Sequence, residues 1–194
     1  ELYKPYIGNV LTVPILETIT SKIEETVLTQ FKEIYKEGEI KKGKNLLAYE
    51  VAKRNILNFV KNELTDVKNG DSIEIIALEQ KLSRKIHHQD LDFKVLISGN
   101  VDRIEKRNGI YRIIDYKTGK VENKNVALSS WEKLTQDIKN EKIIQLLAYA
   151  YMFSEDKNAV VEAGIISFKN LKAGFMPVRS EEHTSELQSL GYIS

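Results

Sequence analysis

No cysteine occurs in the 194 residues of this chain. That excludes structural disulfides, thiolate zinc sites and any iron–sulfur cluster ligated from within it. No stretch approaches the roughly 18 consecutive apolar residues that span a membrane. Net charge is almost missing as well, at a formal +1, so any attraction to phosphates must be local rather than global. There is no Gly-rich phosphate loop, no internal repeat and no low-complexity tract. Trp131 stands alone without an aromatic ladder, which suits packing or surface anchoring better than base stacking. Histidine is scarce: His87 and His88 fall in a polar link between expected strands, and His183 lies near the end.

What is present fits an ordinary globular composition, 42% hydrophobic and 29% charged. A chain of this size can bury one sizeable core, and a single domain is the natural count. Apolar residues at helical spacing predict helices over Val13 to Tyr35 and Lys44 to Leu64, the second carrying Leu46, Tyr49, Ile56, Val60 and Leu64. Asn69-Gly70-Asp71 then turns the chain into a strand from about Ile73 to Leu82, followed by strands over Phe93 to Lys106 and Ile110 to Lys117. Residues 119–130 read as a loop. A helix from about Glu141 to Ser154 leads to a buried strand, Val160 to Phe168, and a short partner near Gly174 to Val178. Helices, three strands, helix, strand: this order predicts an α/β fold with a mixed central sheet flanked by helices.

The chemistry concentrates where two strands meet at Asn108-Gly109. Asn-Gly between strand-like runs signals a two-residue type I′ hairpin, because both turn positions need φ > 0. Counting outward from that turn, Arg107 faces Ile110, Ile104 faces Ile113, Asp102 faces Asp115 and Asn100 faces Lys117. Opposed like charges are destabilising unless something neutralises them, and a divalent cation would do so. Two carboxylates suit a hard ion such as Mg²⁺ or Mn²⁺. Alternation puts Lys117 on the face of Asp115, so the trio forms a constellation able to cleave phosphodiesters. An exposed ion-pair group is the plainer alternative. Asp102 and Asp115 nevertheless interrupt apolar runs, where an uncompensated carboxylate is costly. On the other face the same register sets Glu105 against Arg112 as ordinary cross-strand charge.

These residues resemble a known family. Gly99-Asn100-Val101-Asp102-Arg103-Ile104 followed by Ile114-Asp115-Tyr116-Lys117-Thr118-Gly119 is similar to the core of the PD-(D/E)XK (restriction-endonuclease-like) nucleases, in the RecB and AddB branch. Gln145-Leu146-Leu147-Ala148-Tyr149 resembles the Gln-x-x-x-Tyr helix that follows that core. Gln145 and Tyr149 share a helix face, with Ile143, Leu147 and Ala150 expected to point the other way into the core. The resemblance implies a metal-dependent deoxyribonuclease in which Asp102, Asp115 and the backbone carbonyl of Tyr116 bind Mg²⁺ or Mn²⁺. Lys117 would orient or activate the attacking water and stabilise charge on the phosphate. Glu79 would be a further acidic residue of the site, although a strand Glu is as readily a solvated charge. Gln145, Tyr149, Arg103 and Lys120 would support the site or contact nucleic acid. Arg103, Lys106, Arg107, Lys117, Lys120 and Lys124 form a basic group nearby, and Lys41, Lys42 and Lys44 a second.

The resemblance further implies DNA as partner, a helicase or helicase-like domain in the intact protein, a role in DNA repair or recombination, and a bacterial cytoplasmic, nucleoid-associated location. The alternative is a nucleic-acid-binding or scaffolding module that keeps the fold without turnover. The Gly-Thr-x-x-His-like segment expected on an early helix of that branch is missing, so residues 1–178 read as a nuclease domain truncated at its N-terminus. From about residue 179, Arg179-Ser180-Glu181-Glu182-His183-Thr184-Ser185 resembles the translation of a sequencing adapter. Residues 179–194 are therefore expected to be a non-native tail.

Overall fold

The computed structural model describes residues 1–36, 42–86, 92–154 and 160–180. Contacts divide the chain into two compact units, Glu1–Ile75 and Ile76–Ser194. His87, His88 and His183 lie outside the described residues, as does Lys41.

The first unit is a pair of helices. α1 (Val13–Tyr35) begins with a proline in its first turn, where the missing N–H costs nothing. It buries Leu16, Ile19, Ile23 and Val27, spaced to form one helical stripe. α2 (Gly43–Lys68) buries Tyr49, Phe59 and Val60, and the rings of Phe31 and Tyr49 meet edge to face at 5.5 Å. This helix runs past the expected Leu64. It stops where Asn69 and Gly70 donate back to carbonyls of its last turn, with Gly70 at φ 103°.

The second unit carries the sheet. Its strands are β1 (Ile73–Ile86, of which residues up to Ile75 lie in the first unit), β2 (Val95–Arg107) and β3 (Ile110–Lys117), followed by β4 (Ala127–Leu128). After α3 (Glu141–Phe153) come β5 (Val161–Ser167), β6 (Phe175–Pro177) and β7 (Arg179–Ser180). Five strands form one sheet in the order β1-β2-β3-β5-β6. β2 and β3 are antiparallel, whereas β3 and β5 are parallel. A parallel pair needs a long crossover, and the segment containing α3 provides it. α3 buries Ile143, Leu146, Ala150 and Met152 in one cluster with Ile104, Ile113, Ala163 and Ile165.

From the turn as far as Arg103 and Ile114 the hairpin register is the one counted from the sequence, but the expected pairs Asp102 with Asp115 and Asn100 with Lys117 are not part of the ladder. Asn108 and Gly109 have φ of 50° and 90°, as a type I′ turn requires, and Arg107 pairs with Ile110, Ile104 with Ile113 and Glu105 with Arg112. Several details differ. Glu105 and Arg112 are backbone partners, yet their charges go elsewhere: Glu105 pairs with Arg103 at 2.6 Å and Arg107 at 3.3 Å, Arg112 with Glu162 at 2.9 Å. Tyr149 is not opposite the core but part of it. Gly99 makes this possible, since a Cβ there would stand 2.6 Å from Cε1 of the Tyr149 ring. The expected loop of 119–130 contains a 3-10 turn at Asn123–Asn125 and the short β4. β4 pairs with β7, so Arg179 and Ser180, assigned above to the tail, are hydrogen-bonded; the rest of that tail lies outside the described residues.

Candidate active site

The ladder between β2 and β3 ends at Arg103 and Ile114, one step before the two aspartates. Gly99 abuts Tyr149, and Val101 and Ile104 both belong to the cluster that α3 covers. Strict alternation would group 99, 101 and 103, so the strand slips by one residue between Val101 and Ile104, as at a β-bulge. The slip frees Asp102 from regular pairing. Its Oδ2 instead accepts the backbone N–H of Tyr116 at 2.7 Å, fixing the carboxylate beside the end of β3.

Asp115 is buried, 6% exposed. Lys117 Nζ stands 2.7 Å from its Oδ2, an ion-pair contact outside hydrogen-bond geometry, so that buried oxygen takes no hydrogen bond among the described residues. Asp102 is half-buried, and its pKa is raised above the ordinary 3.8. Burial is the largest cause; the Tyr116 N–H opposes it, the Asp115 and Glu79 carboxylates raise it further, and Lys117 lowers it. Asp102, Asp115, Glu79 and Lys117 thus share one electrostatic neighbourhood.

Glu79 owes its position to the backbone. It sits mid-strand in β1 with φ of 49°, a left-handed conformation that costs a non-glycine residue about 1–3 kcal/mol and concentrates at functional sites. Alternation could not foresee that. On α3, Gln145 Nε2 donates to the Tyr149 hydroxyl at 2.8 Å, so the two motif residues are joined, with the tyrosine ring in the core and its oxygen at the edge.

The basic group does not gather as expected. Arg103 is 0% exposed and ion-paired with Glu105, and its Nη1 donates to the Tyr116 hydroxyl at 3.3 Å. A fully buried guanidinium cannot reach a nucleic-acid backbone; Arg103 instead braces the Tyr116 side chain. Lys106 lies over the Tyr111 ring, and Arg107 follows Glu105 near the hairpin turn. Lys120 and Lys124 both hold Glu122, at 2.6 and 2.8 Å, and their hydrogen bonds lower its pKa to about 2.

Two residues went unnoticed in the sequence. Ser167, fully buried at the end of β5, donates to Gly119 O at 2.7 Å and accepts from Val121 N at 3.2 Å. Asn170 Nδ2 donates to Val121 O at 2.8 Å. Together they anchor the segment that leaves Lys117, whose own carbonyl accepts from Phe168 N at 2.9 Å. The available signal was a serine closing an otherwise apolar strand.

Among the described residues, no three His, Cys, Asp or Glu side chains stand together as a ready metal cage. The chemistry of the donors still fits a hard cation. Such an ion commonly takes only one or two carboxylates and completes its shell with water and substrate phosphate. Asp102, whose charge is disfavoured, and the buried Asp115 oxygen without a donor both call for positive charge.

A family model, that of the PD-(D/E)XK nuclease superfamily, matches residues 15–190. The chain belongs to this superfamily. No curated protein matches it. The five-stranded mixed sheet flanked by helices is consistent with a PD-(D/E)XK nuclease-like core. Superfamily membership implies a hydrolase of phosphodiester bonds that binds nucleic acid, and members generally use divalent metals. No helix among the described residues is long and apolar enough to cross a membrane.

Proposed function

We propose that this PD-(D/E)XK domain, residues 1–178, is a metal-dependent deoxyribonuclease with its centre at Asp102, Asp115 and Lys117. The observation that carries the reading is the close grouping of two carboxylates and an ammonium, with Lys117 Nζ at 2.7 Å from Asp115 and both of these acting on the titration of Asp102. Asp102, Asp115 and the backbone carbonyl of Tyr116 would hold Mg²⁺ or Mn²⁺. Such an ion supplies positive charge to the phosphate and lowers the pKa of water. Lys117 is tethered by Asp115, so its ammonium can hold the attacking water or a phosphate oxygen and offset the charge that grows there. Water adds its oxygen to phosphorus, the P–O bond to the departing nucleotide breaks, and the departing oxygen gains the proton that water loses. Glu79 adds a third carboxylate to the field, while Gln145 and Tyr149 support the site and Lys120 contacts the backbone.

The motif resemblance supports a finer placement in the RecB/AddB-like branch, joined to a helicase or helicase-like module in DNA break processing at the bacterial nucleoid. Cleavage of DNA with Mg²⁺ or Mn²⁺ tests the chemistry. Asp115→Ala and Lys117→Ala should each lose about 10²–10⁴-fold in rate. Equal rates in wild type and both variants sink the mechanism, and DNA binding without cleavage under either metal favours a scaffold.

A further inference from the structure

β1 and β2 continue beyond the carboxylates as a ribbon. The pairing of β3 with β2 ends at Arg103, yet β2 begins at Val95 and β1 runs on to Ile86. The link of residues 87–94 is shorter than the dozen or so residues a parallel crossover takes, so the two neighbouring strands run antiparallel. Leu82, Ile97 and Gly99 turn toward the α3 core, and Arg84 donates to Tyr151 O at 2.7 Å. The alternate positions face outward: Lys81, Ser83 and Lys85 on β1, Leu96 and Ser98 on β2, with Lys94 at the entry, all exposed.

Positive charge predominates on that outer face: residues 80–86 and 93–101 contain no Asp or Glu, and Asp92 is the exposed acid at its entry. Among the described residues Lys81, Lys85 and Lys94 have no ion-pair partner, whereas Lys53, Lys120 and Lys124 each hold a carboxylate. Beside the lysines, Phe93 is 66% and Leu96 61% exposed. Lysines on an edge strand also discourage edge-to-edge pairing, but that use does not call for bare apolar side chains next to them.

We infer that the outer face of this ribbon, with its entry, binds a single strand of nucleic acid, phosphates on Lys81, Lys85 and Lys94 and bases against Leu96 and, at the entry, Phe93. Cationic side chains beside exposed apolar ones suit an unpaired strand, whose bases are free to pack against them while a duplex hides its own. The ribbon starts at Glu79 and Asp102, whose carboxylates sense each other. At about 3.3 Å per residue, Lys81 and Lys85 lie roughly 7 and 20 Å along β1 from Glu79. The inference rests on the nuclease reading and names its substrate class.

Binding of a labelled oligothymidylate to the full chain in EDTA, followed by anisotropy across a NaCl series, tests this apart from cleavage. The Lys81→Gln, Lys85→Gln, Lys94→Gln triple variant should reduce the slope of log K against log salt by about 2, at roughly 0.7 per lost phosphate contact. The corresponding Arg triple should keep it. Phe93→Ala should weaken single-strand binding by roughly fivefold or more. A wild-type slope in the Gln triple overturns the inference, as does an equal loss in a control triple on the first unit, Lys22→Gln, Lys32→Gln, Lys61→Gln. Tighter binding of a duplex of the same length, with Phe93→Ala silent, overturns the single-strand assignment. Wild type that binds with the expected slope but never cleaves in Mg²⁺ or Mn²⁺ sinks the nuclease reading and leaves the ribbon standing.

Discussion

Asp102 is under opposing demands: the Tyr116 N–H and Lys117 favour its charge, while burial, Asp115 and Glu79 oppose it, and the opposition wins. A carboxyl whose pKa is raised by folding favours the fold when protonated. Its contribution is complete below the ordinary aspartate value and is lost as pH rises through the folded value. At neutral pH without metal the ionised side chain therefore weighs against the fold. Asp102→Asn, which keeps an oxygen for the Tyr116 N–H, should melt higher than wild type at pH 7 in EDTA and lose the decline in stability above the aspartate range. Added Mn²⁺ should raise the melting temperature of wild type, by binding the folded state alone, and leave the variant where it was. A variant that melts lower than wild type in EDTA contradicts this balance of charges.

At the scale of elements, two glycines mark places where backbone and side chain come too close for any Cβ. At Gly99 the obstruction is the edge of the Tyr149 ring, which can tilt away. At Gly164 it is the Met176 carbonyl oxygen, 2.4 Å from where a Cβ would lie, and backbone paired within the β5–β6 ladder cannot yield cheaply. Gly99→Ala should cost about 1–3 kcal/mol and Gly164→Ala clearly more, read from urea midpoints of the two variants side by side. Reversed order would mean that the sheet edge gives more readily than the α3 core. The same contrast explains what could be read from residues alone. The β2–β3 register was legible because a two-residue turn with both φ positive is decided by Asn108 and Gly109 themselves. So were the bounds of α1 and β3, which follow apolar periodicity. Glu79's left-handed backbone was not legible, because a glutamate in an alternating run gives no sign of a positive φ. Nor was the burial of Arg103: a motif arginine reads as a surface cation until Glu105 and the Tyr116 hydroxyl are seen around it. The Gln145–Tyr149 pair was found, but its orientation depended on the space left by Gly99.

On the scale of the whole molecule, the order in which the chain leaves the ribosome matters. β3 bears Asp115 and Lys117, and its other neighbour is β5, where Asp115 is set against Ile165 and Lys117 against Ser167. Everything from Thr118 to Val160 must be made, and that loop closed at an entropic cost, before this pairing can form. Residues 1–154 would contain Asp102, Asp115, Lys117, Gln145 and Tyr149, every motif residue of the site. They should nevertheless lack slow amide exchange across β3 and show no DNA cleavage, whereas residues 1–180 should show both protection and activity. On the proposed site, a nascent nuclease built this way would carry its motif in full while still unable to cut, and would become competent only when a strand without a single motif residue arrives.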